Sequence, residues 1–189
     1  MKYNVNEIFK SIQGEGVHAG QAVVFVRLSG CNLKCGFCDT RHERFTEMTG
    51  EDITGAVNRI AGNDPVPVVF TGGEPMLQLR TDDRLCRGRE TRVETNATSA
   101  DPPPPWISWV TASPKTKGGI EWSMRYADEV KIVHPSTVDP IYFRDFGRAK
   151  SIQPIDHGTH TSVKECVEYV TKHPDWRLSV QLHKLIGIR

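Results

Sequence analysis

Three cysteines crowd one short stretch of this 189-residue sequence: Cys31, Cys35 and Cys38, separated by three and then two residues. One tight loop can aim all three sulfurs at a common centre. Thiolates are soft ligands that select iron–sulfur clusters, zinc or copper(I). A structural zinc site normally takes four protein ligands, whereas a cubane cluster held by three cysteines keeps one iron open for a substrate or cofactor. The spacing therefore favours a cluster with an open iron.

Other uses of these cysteines stay open on spacing alone. Zinc could take the three thiolates together with Cys86, Cys166 or a histidine. A disulfide framework is disfavoured, because five cysteines is an odd number and their density is far below that of a small secreted scaffold. We expect Cys166 to be a buried core residue, and Cys86 has no partner at ligand spacing.

Further candidate residues follow two apolar runs. Arg27 stands near the end of the first run, where its guanidinium could hold a carboxylate in bidentate fashion or form a structural ion pair. Thr71-Gly72-Gly73-Glu74-Pro75 follows the second run, and its glycine pair lets a ligand approach the backbone. Two glycines flank Glu15, which indicates either a loop that closely approaches another group or an ordinary turn.

Alternating strands and helices must position these residues. Apolar runs predict buried strands over 22–28 and 66–70, and further strands are expected over 93–96, 106–111, 128–133, 151–154 and 177–182. A helix carrying Ile53, Val57 and Ile60 is expected after Asp52, and a short one over 138–147. Another over 161–173 is expected to bury Val163, Cys166, Val167 and Val170. The charged stretch 80–92 is expected to be short or irregular.

This alternation predicts an α/β fold with a parallel sheet. A complete eight-stranded barrel typically needs about 250 residues, so a chain of 189 residues predicts an open, partial TIM-type barrel in a single domain, 1–189. The candidate polar residues fall at carboxyl ends of strands, where α/β folds place ligands. That shared location suggests that they act together.

Composition limits the classes of function. The formal net charge is +1 and no basic run is present, which argues against a nucleic-acid-binding surface. No apolar run approaches the roughly 20 residues of a membrane span, and residues 1–7 lack the apolar core of a signal peptide. Clustered thiols without an export signal place the protein in a reducing cytoplasm.

With Phe37 before the last cysteine, the 31–38 motif resembles the signature of radical S-adenosylmethionine enzymes. The whole chain resembles one family among them, the 7-carboxy-7-deazaguanine synthases of queuosine precursor biosynthesis. The residues that carry this resemblance lie at 11–16, Arg27, 31–40, 71–75, 94–96, 113–115, 128–131, 153–156, Gln181, His183 and Lys184. The sequence departs from the family at Ala97, where the family usually has glycine, and in the irregular stretch 80–92.

The resemblance implies a lyase that uses a [4Fe–4S] cluster on Cys31, Cys35 and Cys38. Reduction of such a cluster cleaves S-adenosylmethionine, and the resulting 5′-deoxyadenosyl radical abstracts a hydrogen from 6-carboxy-5,6,7,8-tetrahydropterin. The ring contracts, ammonia leaves and 7-carboxy-7-deazaguanine forms.

The resemblance also implies site residues. Those implied around S-adenosylmethionine are Phe37, Cys38, Asp39, Gly73, Ser113, Pro114, Lys115, Gln153, Pro154, Ile155 and Asp156. Those implied around the pterin are Ile12, Gln13, Gly14, Arg27, Thr71 and the terminal Arg189. Thr40 matches the Mg²⁺ ligand of the family, although from the sequence alone it could merely cap the cysteine loop.

Partners and two other classes of function complete the expectations. The resemblance implies a homodimer and a reductant such as flavodoxin, without contact to nucleic acid or membrane. One alternative is another radical S-adenosylmethionine enzyme, such as an activase for a glycyl-radical protein, which would act on a polypeptide. The other is a non-enzymatic module that binds zinc or an iron–sulfur cluster.

Overall fold

The computed structural model describes residues 1–38, 40, 44–81, 85–155 and 161–188. The predicted site residues Asp39, Asp156 and Arg189 lie outside these ranges. The chain forms two compact units. The first comprises Met1–Ile12, Ala22–Thr95 and Ser99–Val110, and the second comprises Gln13–Gln21, Asn96–Thr98 and Thr111–Arg189.

The first unit is built on five strands: β1 (Lys2–Ile12), β2 (Ala22–Leu28), β3 (Thr46–Thr49), β4 (Val68–Gly72) and β5 (Thr91–Thr95). Their order is β3-β1-β2-β4-β5. β2, β4 and β5 are parallel, as predicted, but β1 is antiparallel to both β2 and β3. The predicted parallel sheet is thus present, whereas the antiparallel strands β1 and β3 were not predicted, because both carry many polar residues.

Helix α1 (Gly50–Ala61) follows β3 and begins with a capping box. The Thr49 hydroxyl accepts the backbone N–H of Asp52, and the Asp52 carboxylate accepts the backbone N–H of Thr49. The predicted positions Ile53 and Val57 are buried, whereas Ile60 is 37% exposed. On β1, β2 and β4, Phe9, Val23, Phe25 and Val69 form an apolar cluster.

The second unit carries parallel strands in the order β6-β7-β8-β9. They are β6 (Trp109–Ala112, whose last two residues belong to this unit), β7 (Glu129–His134), β8 (Ala149–Pro154) and β9 (Arg177–Leu178). Helix α2 (Gly118–Tyr126) precedes β7, a short 3₁₀ helix (Pro140–Phe143) precedes β8, and α3 (Thr161–Lys172) and α4 (Leu182–Leu185) complete the unit. A strand was predicted over 177–182, but only Arg177 and Leu178 form one.

Helix α3 confirms the predicted helix but not its buried face. Cys166 is fully buried, as expected, but Val163 and Val167 are 39% and 45% exposed. Ser162 is buried instead, and its hydroxyl donates to the carbonyl of Ile155. Tyr169, three residues after Cys166, packs edge-on against Trp176 with ring centres 5.4 Å apart.

Between Gln78 and Glu90, the described residues form turns and no α-helix, as expected for the charged stretch. Within the described ranges, no helix is both long and apolar enough to cross a bilayer.

Candidate active site

The cysteine loop (residues 31–38) leaves the carboxyl end of β2. Cys31 and Cys35 are half-buried and Cys38 is exposed, and all five cysteines of the chain are thiols without disulfide bonds. The Cys31 Sγ accepts the backbone N–H of Leu33 at 3.4 Å, and the Cys38 N–H bonds the carbonyl of Cys35 at 3.1 Å. The loop therefore carries three thiols within eight residues, one on an exposed residue and two on half-buried residues.

The segment after β4 is fastened to the start of this loop. The Gly73 N–H donates to the carbonyl of Leu28, and the Glu74 N–H donates to the carbonyl of Gly30, both at 2.8 Å. A Cβ on Gly73 would lie 1.9 Å from the Gly30 oxygen. Only glycine allows this approach, so the glycine pair serves, in this structure, to lock the cysteine loop to the sheet.

Glu74 is a buried carboxylate that the sequence did not single out. It is 1% exposed, and its Oε1 accepts the Thr95 hydroxyl at 2.7 Å and the Met76 N–H at 2.9 Å. Nearby, the hydroxyl of the predicted substrate residue Thr71 donates to Glu94 Oε2 at 3.0 Å. Carboxylates of β5 and of the turn after β4 thus organise the carboxyl ends of these strands.

Arg27 lies on β2, directly opposite Glu7 of β1. Its Nε is 2.9 Å from Glu7 Oε1, an ion pair whose angle is not that of a hydrogen bond, and its Nη1 donates to the Thr40 hydroxyl at 3.2 Å. Both side chains of the ion pair are about a quarter exposed. Among the described residues, no hydrogen bond from Nη2 is found, so one edge of the fork can receive a ligand carboxylate.

Among the five cysteines, the three of the cysteine loop are better suited to bind a metal than Cys86 and Cys166. Burial raises the pKa of the Cys86 thiol and of the Cys166 thiol to about 11. Both therefore stay protonated at neutral pH and are poor metal ligands. Within the described ranges, no group of three or more Cys, His, Asp or Glu side chains is gathered closely enough to hold a metal ion. The loop fits a cluster through its three thiols and their accessibility, not through a closed arrangement of sulfurs.

In the second unit, Ser113, Pro114 and Lys115 follow β6. The Ser113 hydroxyl donates to the carbonyl of Lys131 on β7 at 2.9 Å, and the Lys115 ammonium donates to the carbonyl of Ser113 at 2.8 Å. Pro114 is buried and packs against Gly119. These contacts hold the three residues at the carboxyl end of β6.

Ala97 marks the departure from the family in this unit. Its φ of 62° lies in the left-handed region, which glycine adopts without steric penalty. The backbone thus keeps the conformation that the family's glycine suggests, at the cost of a mild strain.

The loop of residues 13–16 confirms the close approach expected from its glycines. A Cβ on Gly14 would lie 2.2 Å from His183 Nδ1, and one on Gly16 would lie 2.7 Å from the Glu129 carboxylate. Gln13 is buried, and its Oε1 accepts the Glu15 N–H at 3.2 Å. Ile12 is the half-buried last residue of β1.

Glu15 is the centre of a buried polar cluster, defined here as Glu15, Lys131, Gln153, Ser179 and Gln181. Its carboxylate forms an ion pair with the Lys131 ammonium, and the two side chains are 17% and 6% exposed. Burial raises the pKa of the Glu15 carboxyl, but the charge of Lys131 and hydrogen bonds from Lys131, Gln181 and Gln153 outweigh it and lower the pKa to about 2. Glu15 is therefore anionic at any physiological pH.

Gln153, predicted to contact S-adenosylmethionine, belongs to this cluster. Its Oε1 accepts the Ser179 hydroxyl at 2.7 Å. Its neighbours Pro154, which ends β8, and Ile155 are half-buried and buried respectively. The roles of Glu15 and Ser179 depend on contacts across more than a hundred residues, so no local sequence signal could have revealed them.

The comparisons with known proteins agree with this chemistry. The family profile of the radical SAM superfamily matches residues 25–117, which include the cysteine loop. The chain is 43% identical to the 7-carboxy-7-deazaguanine synthase of Bacteroides thetaiotaomicron and 40% identical to that of Bradyrhizobium diazoefficiens, over 100% of both chains in each pair. The crystal structure of QueE from Escherichia coli is similar with a TM-score of 0.75 and 26% identity, covering 97% of this chain and 95% of that one.

These similarities confirm the predicted α/β fold of the radical S-adenosylmethionine enzymes. They extend from the first residue to the last, far beyond the cysteine motif that the whole superfamily shares. The chain therefore belongs to the 7-carboxy-7-deazaguanine synthase family of radical S-adenosylmethionine enzymes.

Proposed function

We propose that this protein converts 6-carboxy-5,6,7,8-tetrahydropterin into 7-carboxy-7-deazaguanine and ammonia. The observation that carries the proposal is 43% identity over the full length of a 7-carboxy-7-deazaguanine synthase. The anchored cysteine loop and an arginine with an available edge supply the chemistry that this reaction needs. Neither a peptide-activating enzyme nor a metal-binding module requires the second of these features.

Cys31, Cys35 and Cys38 would hold a [4Fe–4S] cluster. Their thiols lie on one loop, and the bonds from Gly73 and Glu74 fix the start of that loop to the sheet. When bound, the cluster supplies the electron that cleaves S-adenosylmethionine and so generates the organic radical. The protein's part is to hold the ligands and to shield the site from water.

We propose from the family resemblance that S-adenosylmethionine is held by Phe37, Cys38, Asp39, Gly73, Ser113, Pro114, Lys115, Gln153, Pro154, Ile155 and Asp156. The proposal is supported by the segment after β6, where the Lys115 ammonium donates to the Ser113 carbonyl. It is also supported by the buried position of Gln153.

The pterin would be bound by Ile12, Gln13, Gly14, Arg27, Thr71 and Arg189. Arg27 would hold the substrate carboxylate, because Glu7 and Thr40 orient its guanidinium while leaving Nη2 available. Thr71 is held in place by Glu94. The contact between Arg27 and the substrate carboxylate would then contribute most to pterin binding.

Thr40 would supply one of the oxygen ligands of a Mg²⁺ site. Its hydroxyl accepts a hydrogen bond from the Arg27 guanidinium, which places a positive charge 3.2 Å away. A single hydroxyl serves Mg²⁺ where waters and substrate oxygens complete the octahedron. We therefore expect any Mg²⁺ requirement to depend on the presence of the pterin, whose carboxylate neutralises Arg27.

The cellular setting follows from the family. We propose a cytoplasmic homodimer that receives electrons from a reductant such as flavodoxin. Its substrate and product are small molecules, so the protein itself need not contact nucleic acid or a membrane.

Anaerobic reconstitution with iron and sulfide tests the proposal against its alternatives. We expect a brown protein that bleaches with dithionite, cleaves S-adenosylmethionine and does so faster with the carboxytetrahydropterin. Cys38→Ala should lose the cluster, while Cys166→Ala, which alters a thiol outside the loop, should keep it. A colourless zinc protein would exclude the radical reaction, and cleavage of S-adenosylmethionine with the pterin left intact would leave the superfamily right and the substrate wrong.

A further inference from the structure

The loop of residues 13–16 and the C-terminal segment (residues 179–188) are joined in the second unit. The Leu182 N–H donates to the carbonyl of Gly14, and the Gly16 N–H donates to the Ser179 hydroxyl, both at 2.9 Å. His183 fills the space that a side chain at Gly14 would need. Two hydrogen bonds and one close contact therefore join the two segments.

Gln181 links these segments through its side chain. Its Nε2 donates to Glu15 Oε1 at 3.0 Å, and its Oε1 accepts the Lys184 ammonium at 2.8 Å. The amide is thus used at both ends, one towards the buried loop and one within the C-terminal segment. A glutamine in this position bridges the two segments, because its amide supplies a donor and an acceptor on separate atoms of one side chain.

Glu15 is in turn fixed to the sheet. Its ion-pair partner Lys131 lies in the middle of β7 and is 6% exposed. Gln153 of β8 also holds Ser179, whose hydroxyl accepts the Gly16 N–H. The loop and the C-terminal segment consequently share one support, the Glu15 cluster on β7 and β8.

We propose that Glu15 and Gln181 are positioning residues that hold Gln13 and Gly14, through the C-terminal segment (residues 179–188), in the arrangement that receives the pterin. This inference rests on the proposed function, which assigns the pterin to Gln13 and Gly14 of the loop. A segment that is already ordered loses less conformational entropy when the ligand binds. Neither side chain touches the reacting atoms in this account, and both act through the backbone that they hold.

Gln181→Met tests the inference, because it keeps the length of the side chain and removes both hydrogen bonds. Thr54→Val is the matched control. Thr54 also makes two side-chain hydrogen bonds, to the Gly50 carbonyl and from the Cys86 N–H, and it lies on α1, outside every proposed contact. Gln181→Asn, whose amide is too short to bridge, replaces Gln181→Met if that variant does not fold.

The expected result is selective. Gln181→Met should raise KM for the pterin on the order of tenfold, the effect of about one lost ordering contribution, and leave KM for S-adenosylmethionine within about twofold. Amide exchange over 179–186 should become faster even without ligand. Thr54→Val should lower the melting temperature without either change. Equal KM values for the pterin in both variants would overturn the inference.

Lys184→Met removes only one of the two hydrogen bonds of the Gln181 side chain, the one with Lys184, and so distinguishes their effects. We expect it to have less than a third of the effect of Gln181→Met on KM for the pterin, because the contact with Glu15 is the one that reaches the loop. An equal effect would show that Glu15 is not the positioning partner. If the parent protein does not turn over the pterin at all, the proposed function fails, whereas exchange at 179–186 still decides whether Gln181 holds the segment.

Discussion

Arg27 shows how a single residue can be prepared for a ligand by its neighbours. Glu7 lies directly across the β1–β2 pair from it, and Thr40 accepts a hydrogen bond from its Nη1. The guanidinium also lies 5.7 Å from the centre of the Phe9 ring, a cation–π contact. Three sides of the guanidinium are thus restrained, and the remaining edge has a fixed direction.

Replacing Arg27 should harm turnover and not cluster assembly. Arg27→Ala should reduce kcat/KM for the pterin by at least about a hundredfold, since a charge-assisted bidentate contact contributes roughly 3 kcal/mol. Arg27→Lys should recover only part of this, because an ammonium lacks the fork. Iron content and steady-state kinetics provide the measurements. Unchanged affinity of Arg27→Ala for the pterin would refute the carboxylate role.

Lys131 should be essential to stability because it neutralises Glu15. Lys131→Met leaves a buried carboxylate without its counter-ion, which costs about 3–5 kcal/mol at pH 7. The loss should be measurable by urea unfolding, with Lys10→Met as a control that breaks the exposed pair with Asp64 and costs at most about 1 kcal/mol.

The pH dependence of the same variant has a definite sign. In the parent, the lowered pKa of Glu15, about 2, means that the stabilisation is present above the ordinary carboxyl pKa and is lost as the pH falls towards 2. In Lys131→Met, burial acts without the opposing charge and raises the pKa. The destabilisation of the variant should therefore shrink between pH 7 and pH 5. A constant difference over that range would contradict the account of Glu15.

At the scale of elements, the cysteine loop depends on a turn that follows another strand. Gly73→Ala would place a methyl carbon 1.9 Å from the Gly30 oxygen, so the turn after β4 must move away from the loop. We expect a loss of roughly 1–3 kcal/mol and a fall in iron content after reconstitution. Gly147→Ala, where an added Cβ meets nothing within 4 Å, should change neither. Full iron content in Gly73→Ala would contradict the anchoring.

The irregular stretch before β5 contains Arg89, which forms hydrogen bonds at the C-terminal end of α1. The Arg89 guanidinium donates to the Gly62 carbonyl at 2.8 Å, to the Asp64 carbonyl at 2.7 Å and to Asn58 Oδ1 at 3.0 Å. It therefore satisfies carbonyl groups at and beyond the C-terminus of α1.

Arg89→Met should lower the free energy of unfolding by about 1–2 kcal/mol, since exposed, charge-assisted hydrogen bonds are lost. Arg87→Met, which alters an exposed arginine two residues before Arg89 without such bonds to the described residues, should stay within about 0.5 kcal/mol of the parent. Thermal unfolding of the two variants provides the comparison. Equal stabilities would show that Arg89 does not support the end of α1.

Elements that could be predicted from the sequence are those whose own residues show a clear apolar pattern. β2 and β4 begin as apolar runs whose residues are buried, and both were predicted close to their observed positions. β1 was missed because its polar residues are paired across strands, as Glu7 is with Arg27. α2 was missed because it begins with Gly118 and Gly119, which are poor helix formers, although Gly119 is needed for the contact with Pro114.

At the scale of the whole molecule, family and fold were predicted correctly from motifs distributed along the chain, and the comparisons confirm both. The single-domain organisation and the individual contacts to cofactor and substrate remain predictions. The Glu15 cluster was beyond prediction, since it joins residues from 15 to 181 and exists only after folding. Motifs identify the chemistry, whereas the contacts that orient it arise from the tertiary structure.

The most direct test of the central claim is the identity of the product. The reconstituted protein, reduced anaerobically and supplied with S-adenosylmethionine, Mg²⁺ and 6-carboxy-5,6,7,8-tetrahydropterin, should yield 7-carboxy-7-deazaguanine and ammonia in equal amounts, identified by mass spectrometry and an ammonia assay. Cys38→Ala should yield neither. Cleavage of S-adenosylmethionine by the parent protein, with the pterin recovered unchanged and no ammonia released, would contradict the account.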